Sequence, residues 1–353
     1  MRIVHVANYN FKYLGARHYS LPIRINNGFI RNGHDVFWFS DRDIARASNP
    51  FGSRKFGVKP CNRKLIEVCK NFQPEILALC HADIISTATI AEIRQLLPGI
   101  AIFQYNIDSL FNADNIENIL SKSSVVDRTF STTAGGVLAK IGTDSAPASF
   151  IPNPVDMSID TGRCFEQENL KNDIFFAGGN ASWTEQNDIR FLGPPALLEQ
   201  TDLVCSFHGL GLGENIWGQE YRSEVCDSRI GLSFSHRPRN VPGGDGGPLY
   251  LYSSDRIAQY FGNGLMVVSN KVFGLAELYG NDSLVEVEEL DEFIELMRWF
   301  QANDGERMRI AKAGYLVNRN CFNEKLVSQY MIDATLGHKF KYDYRWPIDL
   351  YRS

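Results

Sequence analysis

The stretch Ser253-Ser254-Asp255-Arg256-Ile257-Ala258-Gln259-Tyr260-Phe261-Gly262-Asn263-Gly264 concentrates groups suited to holding an anion. Small polar residues open a helix here, Ser254 is placed to cap it, and the N–H groups of its first turn point outward. A helix start of this kind beside an arginine accommodates a diphosphate. Gln259 follows Arg256 by one helical turn, on a neighbouring position of the same face. Upstream, Arg237 and Arg239 enter a glycine-rich loop that runs to Pro248. Glycines let backbone approach a ligand, and the two arginines can close on negative charge. Gly178 and Asn180 follow another apolar run and occupy a comparable place. In the first half, Cys80-His81-Ala82-Asp83 and Tyr105-Asn106-Ile107-Asp108 also follow apolar runs. His81, Asp83 and Asp108 are therefore candidates for a base or for orienting a substrate hydroxyl.

Other chemistries find no support. His208-Gly209-Leu210-Gly211-Leu212-Gly213-Glu214 carries Glu214 where a dinucleotide fingerprint needs glycine, and the first turn, Asn8–His18, lacks that fingerprint too. No GxSxG, Walker A or HExxH pattern occurs. The seven cysteines form no CxxC pair, so neither a disulfide framework nor a zinc knuckle is expected. No metal and no resident cofactor is expected.

These candidate groups depend on strands to place them. Arg2–Asn8, Asp35–Ser40, Glu75–Cys80, Ile100–Tyr105, Ser123–Ser131 and Ser149–Pro152 read as strands, with helices over Ser20–Asn32, Thr87–Leu97 and Gly136–Ile141. Near-continuous apolar strands alternating with helices indicate a parallel sheet covered on both faces. Ile151-Pro152-Asn153-Pro154-Val155-Asp156 interrupts the pattern, since two prolines in three residues fix the backbone. The alternation then restarts with strands at Asp173–Ala177, Asp202–Phe207, Arg229–Phe234, Leu265–Ser269 and Ser283–Val287. Helical patterns over Asp291–Gln301, Gly305–Arg319 and Glu324–Leu336 close the chain. The expectation is an α/β protein of two Rossmann-like doubly wound domains facing a central cleft, residues 1–154 and 155–337. An aromatic tail, 338–353, packs back on a domain. Ligands bind such sheets beyond the carboxyl ends of their strands, at the switch points.

The 353 residues carry a formal net charge of −5 with 44% apolar residues, an ordinary globular composition that excludes collagen-like and disordered classes. The charge is uneven. Residues 1–155 hold 17 Lys and Arg against 12 Asp and Glu, which leaves the second half strongly acidic. Arg54, Lys55, Lys59, Arg63, Lys64 and Lys70 cluster against the single acid Glu67, a surface for anionic lipid headgroups or a phosphorylated acceptor. Nucleic acid is disfavoured by the overall acidity. No run is long enough to cross a membrane, and Ile3–Val6 is too short for a signal peptide's apolar region, so a cytoplasmic protein is expected.

Three segments, IPNPVD, DRIAQYFGNGLMVVSN and Phe273-Gly274-Leu275-Ala276-Glu277-Leu278, make the chain resemble GT-B fold glycosyltransferases of the group 1 type, including the spore-maturation-like branch. The opening ARHYSLPIRINNGFIRNGHDVFWFSDRD resembles their first βαβ unit. The likeness is best over 173–337 and looser over 1–150. It implies a sugar moving from a nucleotide-sugar donor to a hydroxyl of a glycan, such as lipopolysaccharide or another lipid-linked polysaccharide. By the same resemblance Arg256 binds the donor diphosphate, with Gly178, Asn180, Arg237, Arg239, Ser254 and Asp255 around it, and Glu277 lies by the nucleotide or sugar. Gln259 stands where many relatives have a glutamate for the ribose hydroxyls, and Leu251 where many have a second glutamate. Gly15, Arg17, Arg54, Lys55, Lys59, Arg63 and Lys64 fall on the acceptor- or membrane-facing side, which suggests a peripheral position on the inner face of the plasma membrane. A nucleotide-sugar epimerase of the same fold and a non-catalytic nucleotide- or sugar-binding module are the alternatives.

Overall fold

The structure, a computed structural model, describes residues 1–178, 189–209, 211–235 and 250–352. They form two compact units. The first comprises Met1–Pro154 together with the chain from Asn323 onward, and the second runs from Val155 to Phe322.

In the first unit, β1 (Arg2–Ala7), β2 (Asp35–Ser40), β3 (Ile76–Cys80), β4 (Ala101–Asn106), β5 (Arg128–Ser131) and β6 (Ala148–Phe150) form a sheet in the order β2-β1-β3-β4-β5-β6. Every strand pairing is parallel. The order reverses direction between β1 and β3, so crossovers of one hand place helices on both faces. The helices are α1 (Leu21–Arg31), α2 (Asp41–Ala47), α3 (Arg54–Phe72), α4 (Thr87–Leu96), α5 (Ala113–Leu120) and the short α6 (Gly136–Ala139). On one face Cys61, Leu65 and Cys69 of α3 and Ile90 and Ile93 of α4 pack on Val4, Val6, Leu77 and Leu79. Alternate strand residues turn to the other face. There Phe29 of α1 meets Phe103, and Phe103 meets Phe130 edge-on.

The second unit has β7 (Asn172–Ala177), β8 (Cys205–His208), β9 (Ser228–Ser233), β10 (Met266–Asn270) and β11 (Leu284–Val287), parallel in the order β11-β10-β9-β7-β8. Its reversal lies between β7 and β9. Helices α7 (Ile189–Gln200), α8 (Gly218–Cys226), α9 (Asp255–Asn263), α10 (Leu275–Tyr279), α11 (Leu290–Ala302) and α12 (Asp304–Cys321) cover it. Ile174 and Phe176 face the side packed by Leu197, Phe293 and Ile310, whereas Phe175 faces Tyr221 and Tyr260. Gly264, at φ +80°, ends α9 in the left-handed conformation that glycine adopts without strain.

The last helix, α13 (Glu324–Leu336), belongs to the first unit, so the second unit ends at Phe322 and not at the expected 337. The reason is a tight seat against α1. A Cβ at Gly28 would stand 2.1 Å from the Glu324 carbonyl oxygen, so only glycine allows this approach. Arg31 pairs with Glu324 at 2.6 Å, and Asn32 Nδ2 donates to the Lys325 carbonyl at 2.8 Å. The aromatic tail also lies on the first unit. Tyr351 pairs with Ala148 beyond β6, and Ser149 Oγ donates to the Asp349 carbonyl at 3.0 Å. The fifth strand is shorter than expected because Ser123–Asp127 is used for a turn and for Asp127, which accepts from the Ile102 amide at 2.7 Å.

Candidate functional site

In the second unit the strand ends at the β7/β9 reversal are joined by one side chain. Arg256, in the first turn of α9, donates from Nη2 to the Phe234 carbonyl at 2.7 Å and from Nη1 to the Ala177 carbonyl at 3.4 Å. Its guanidinium also lies 5.6 Å from the Phe176 ring centre. A guanidinium has five N–H donors in a fixed fork, and two carbonyls that hold it in place leave donors for an anion. The switch point of a parallel sheet is where such folds bind ligands. Arg256 therefore presents a fixed positive charge at the place where the topology opens the sheet.

The surrounding groups are more occupied than their sequence positions suggest. Ser254 does not cap α9 with its side chain. Its Oγ is buried and bonds Ser233 Oγ at 3.0 Å, which ties the helix start to β9. Ser253 Oγ bonds the Tyr279 hydroxyl at 2.7 Å. Gln259 is buried: its Oε1 accepts from the Tyr221 hydroxyl at 2.6 Å, and its Nε2 donates to Asp255 Oδ2 at 3.4 Å. In this arrangement the amide is a link between α8 and α9. Leu251 is buried with φ +48°, and its amide donates to the Phe273 carbonyl at 2.9 Å. The adjoining Gly274, at φ +78°, brings Glu277 to the exposed first turn of α10. Glu286 is held above the usual carboxylate range by burial, with Glu277 adding to the effect. The Gly178 amide donates to the His208 carbonyl at 2.9 Å at the end of β7. Asn180, Arg237 and Arg239 lie outside the described residues.

The first unit gathers a second polar group beyond the ends of β2, β3 and β4. His81 Nε2 stands 3.6 Å from Asp108 Oδ2, and burial holds its imidazole below the ordinary 6.5 while Asp108 pulls the other way. Its backbone is strained. His81 and Ala82 have φ of +53° and +46°, a left-handed pair fixed by the His81 amide donating to the Tyr105 carbonyl at 3.0 Å. Arg42 Nε at 3.1 Å and Arg54 Nη1 at 3.3 Å hold the two oxygens of Asp83.

Three members of this group were missed in the sequence. Asp41, directly after β2, is buried, and burial pushes its carboxyl from 3.8 up to about 7. Arg42 follows it. Lys122 is buried against Asn118, and burial lowers its ammonium to about 8. Asp41 was legible as a residue following a strand. Lys122 was not, because only the return of the chain after α5 brings it here. Beneath lies a buried His5 whose Nε2 meets the Tyr105 hydroxyl at 2.7 Å and whose Nδ1 meets the Tyr9 hydroxyl at 2.6 Å. Burial lowers this imidazole to about 4, so it is neutral at pH 7.

Among the described residues no group of three or more His, Cys, Asp and Glu is arranged to hold a metal ion. No described helix is long and apolar enough to cross a membrane. Gly15 has φ +93° in the turn after β1, and of the basic cluster Arg54 is committed to Asp83 and Lys64 to Ser48 Oγ at 3.0 Å.

Residues 181–329 match the family described as Glycosyl transferase-like. No curated protein matches the chain. Among solved structures, the fold is similar to sucrose-phosphate synthase from Thermosynechococcus elongatus, with a TM-score of 0.58, 10% identity, and coverage of 96% of this chain and 98% of that one. Anabaena HepE in complex with UDP and glucose gives 0.56 at 11% identity, covering 96% and 99%. The S. aureus MnaA–UDP structure gives 0.55 at 10% identity, covering 98% and 100%. At these identities the likeness establishes the fold, two parallel α/β sheets of the GT-B kind, and the family match covers residues 181–329, most of the second unit and the start of α13.

Proposed function

We propose that this glycosyltransferase of the GT-B fold moves a sugar from a nucleotide-sugar donor to a hydroxyl of a cell-envelope glycan, lipopolysaccharide or another lipid-linked polysaccharide. The observation that carries the reading is Arg256, fixed by two strand-end carbonyls at the β7/β9 switch point. That HepE and MnaA have been seen with UDP supports a nucleotide diphosphate as the ligand of this place. The chemical task is to stabilise the negative charge growing on the departing diphosphate. A guanidinium already oriented, together with the amides of the first turn of α9, does this without reorganising during the reaction. In this reading Arg256 is the cation that meets the diphosphate, and no resident metal or cofactor takes part. For an inverting transfer the base is His81, neutral at pH 7 and oriented by Asp108. The acceptor is brought to the protein at the inner face of the plasma membrane, toward the basic cluster of the first unit.

The test is a thermal-shift screen with UDP, GDP, CMP, ADP and dTDP, repeated on Arg256→Ala. One nucleotide stabilises the wild type by RT ln(1 + [L]/Kd), about 2.7 kcal/mol at a hundredfold excess over Kd, and the variant loses most of this response. No response to any nucleotide overturns the reading. Product analysis with and without acceptor then separates transfer from epimerisation, which proceeds with donor alone.

A further inference from the structure

The three most exposed large apolar side chains among the described residues are Leu14 at 94%, Phe51 at 80% and Phe56 at 65%, ahead of Leu198 at 57%. All three flank the single seven-residue helix α2 of the first unit. Leu14 closes the 3-10 turn Phe11–Tyr13 in a left-handed conformation, φ +50°. That turn is fastened to α2 because Asp43 Oδ2 accepts from the Phe11 amide at 2.8 Å. Phe51 sits in the turn between α2 and α3, where Asn49 Oδ1 accepts from the Phe51 and Ser53 amides, each at 3.2 Å, and Asn49 Nδ2 donates to the Ser53 carbonyl at 2.7 Å. Phe56 packs on Phe51 with ring centres 5.9 Å apart. These are ordered turns that hold apolar groups out in water, an arrangement that costs free energy unless something covers them.

Charge says what covers them. On α3, Lys55, Lys59 and Arg63 share the outward face with Phe56 and make no ion pair among the described residues. The nearby acids are already neutralised: Asp43 by Arg46, Asp83 by Arg42 and Arg54, and Glu67 by Lys70. Projecting aromatics ringed by unpaired cations match the boundary of an anionic bilayer, where rings enter between acyl chains and cations meet headgroups. We infer that the α2–α3 turn and the outward face of α3, with Phe51 and Phe56 as wedges, dock this chain on an anionic lipid surface. The inference rests on the reading above of a membrane-borne acceptor and names the surface that reaches it.

The test is co-sedimentation with phosphatidylcholine vesicles, with and without about 30% phosphatidylglycerol. The wild type pellets with the anionic vesicles only, and less as salt rises and screens the cations. Phe51→Ser/Phe56→Ser lowers partitioning by about tenfold or more. Lys55→Gln/Lys59→Gln/Arg63→Gln lowers it by about fivefold for each charge removed. All these positions are exposed, so circular dichroism and the nucleotide thermal shift remain those of wild type. Failure of the wild type to pellet with anionic vesicles overturns the inference. So does wild-type pelleting by the phenylalanine variant, or a dimer on size exclusion that this variant alone abolishes. A wild type that pellets but responds to no nucleotide overturns the transferase reading and leaves the docking surface standing.

Discussion

Replacing Asp41 by Asn should stabilise the protein at alkaline pH and do little at acid pH. Asp41 follows β2, is 1% exposed, and its Oδ1 accepts from the Arg42 amide at 2.7 Å, a bond that Asn preserves. Burial is the main cause that lifts the carboxyl from 3.8 to about 7. The Arg42 amide and charge oppose the shift, and Asp83 and Asp43 add to it. Below pH 4 the group is protonated in the folded and unfolded chain alike and costs nothing. Between pH 4 and 7 the unfolded chain releases this proton while the folded chain keeps it, so stability falls as pH rises. Above pH 7 the folded carboxyl ionises too and the loss levels off. A shift of about three units corresponds to about 4 kcal/mol, of which about 3 kcal/mol is lost between pH 4.5 and 8. With a urea slope of about 2 kcal/mol per molar, the Asn variant should gain about 1.5 M in midpoint over the wild type across that interval. Urea unfolding followed by tryptophan fluorescence at pH 4.5, 6 and 8 measures it. A difference between the two proteins that stays constant with pH would refute the reasoning, because it would mean that Asp41 ionises equally in both states.

Further outcomes follow from single contacts. Gly28→Ala forces a Cβ into the Glu324 carbonyl 2.1 Å away and should cost about 1–3 kcal/mol by driving α1 from α13, read as a lower melting temperature of the first unit. Tyr221→Phe removes the hydroxyl from Gln259 Oε1, leaving a buried acceptor unpaired at about 1–3 kcal/mol, while the nucleotide response stays intact; loss of that response would show Gln259 at the ligand. His81 should titrate below 6.5 by NMR, and Asp108→Asn should move it lower still, since the Asp108 charge is the largest influence that favours the imidazolium. A rise in the variant would mean that the two groups are not neighbours in solution.

Much of the fold was written locally. The apolar runs of β1, β3, β7 and β10, the glycine that ends α9 and the double proline before Val155 are properties of short segments, and short segments fix strands, stops and breaks by sterics and burial alone. The place of Arg256 in the first turn of α9 was legible for the same reason, because a helix start opened by small polar residues is read within a few residues of itself. Helix α3 has a weaker local signature, since Pro60 stands inside a run of charges, yet the 19-residue helix persists because Cys61, Leu65 and Cys69 pack under it. What no segment contained was the pairing of distant ends. The seat of α13 on α1 depends on Gly28 and Glu324 meeting across almost the whole chain, so the division between units fell at Phe322. The commitment of Asp83 to Arg42 and Arg54 and of Gln259 to Tyr221 likewise depends on which elements lie side by side. The sequence by itself determined the strands, the helices and the types of charge available. Only the tertiary structure decided which polar groups are spent on one another and which remain for a ligand, because hydrogen bonds and ion pairs act over a few ångströms in space, whatever the distance along the chain.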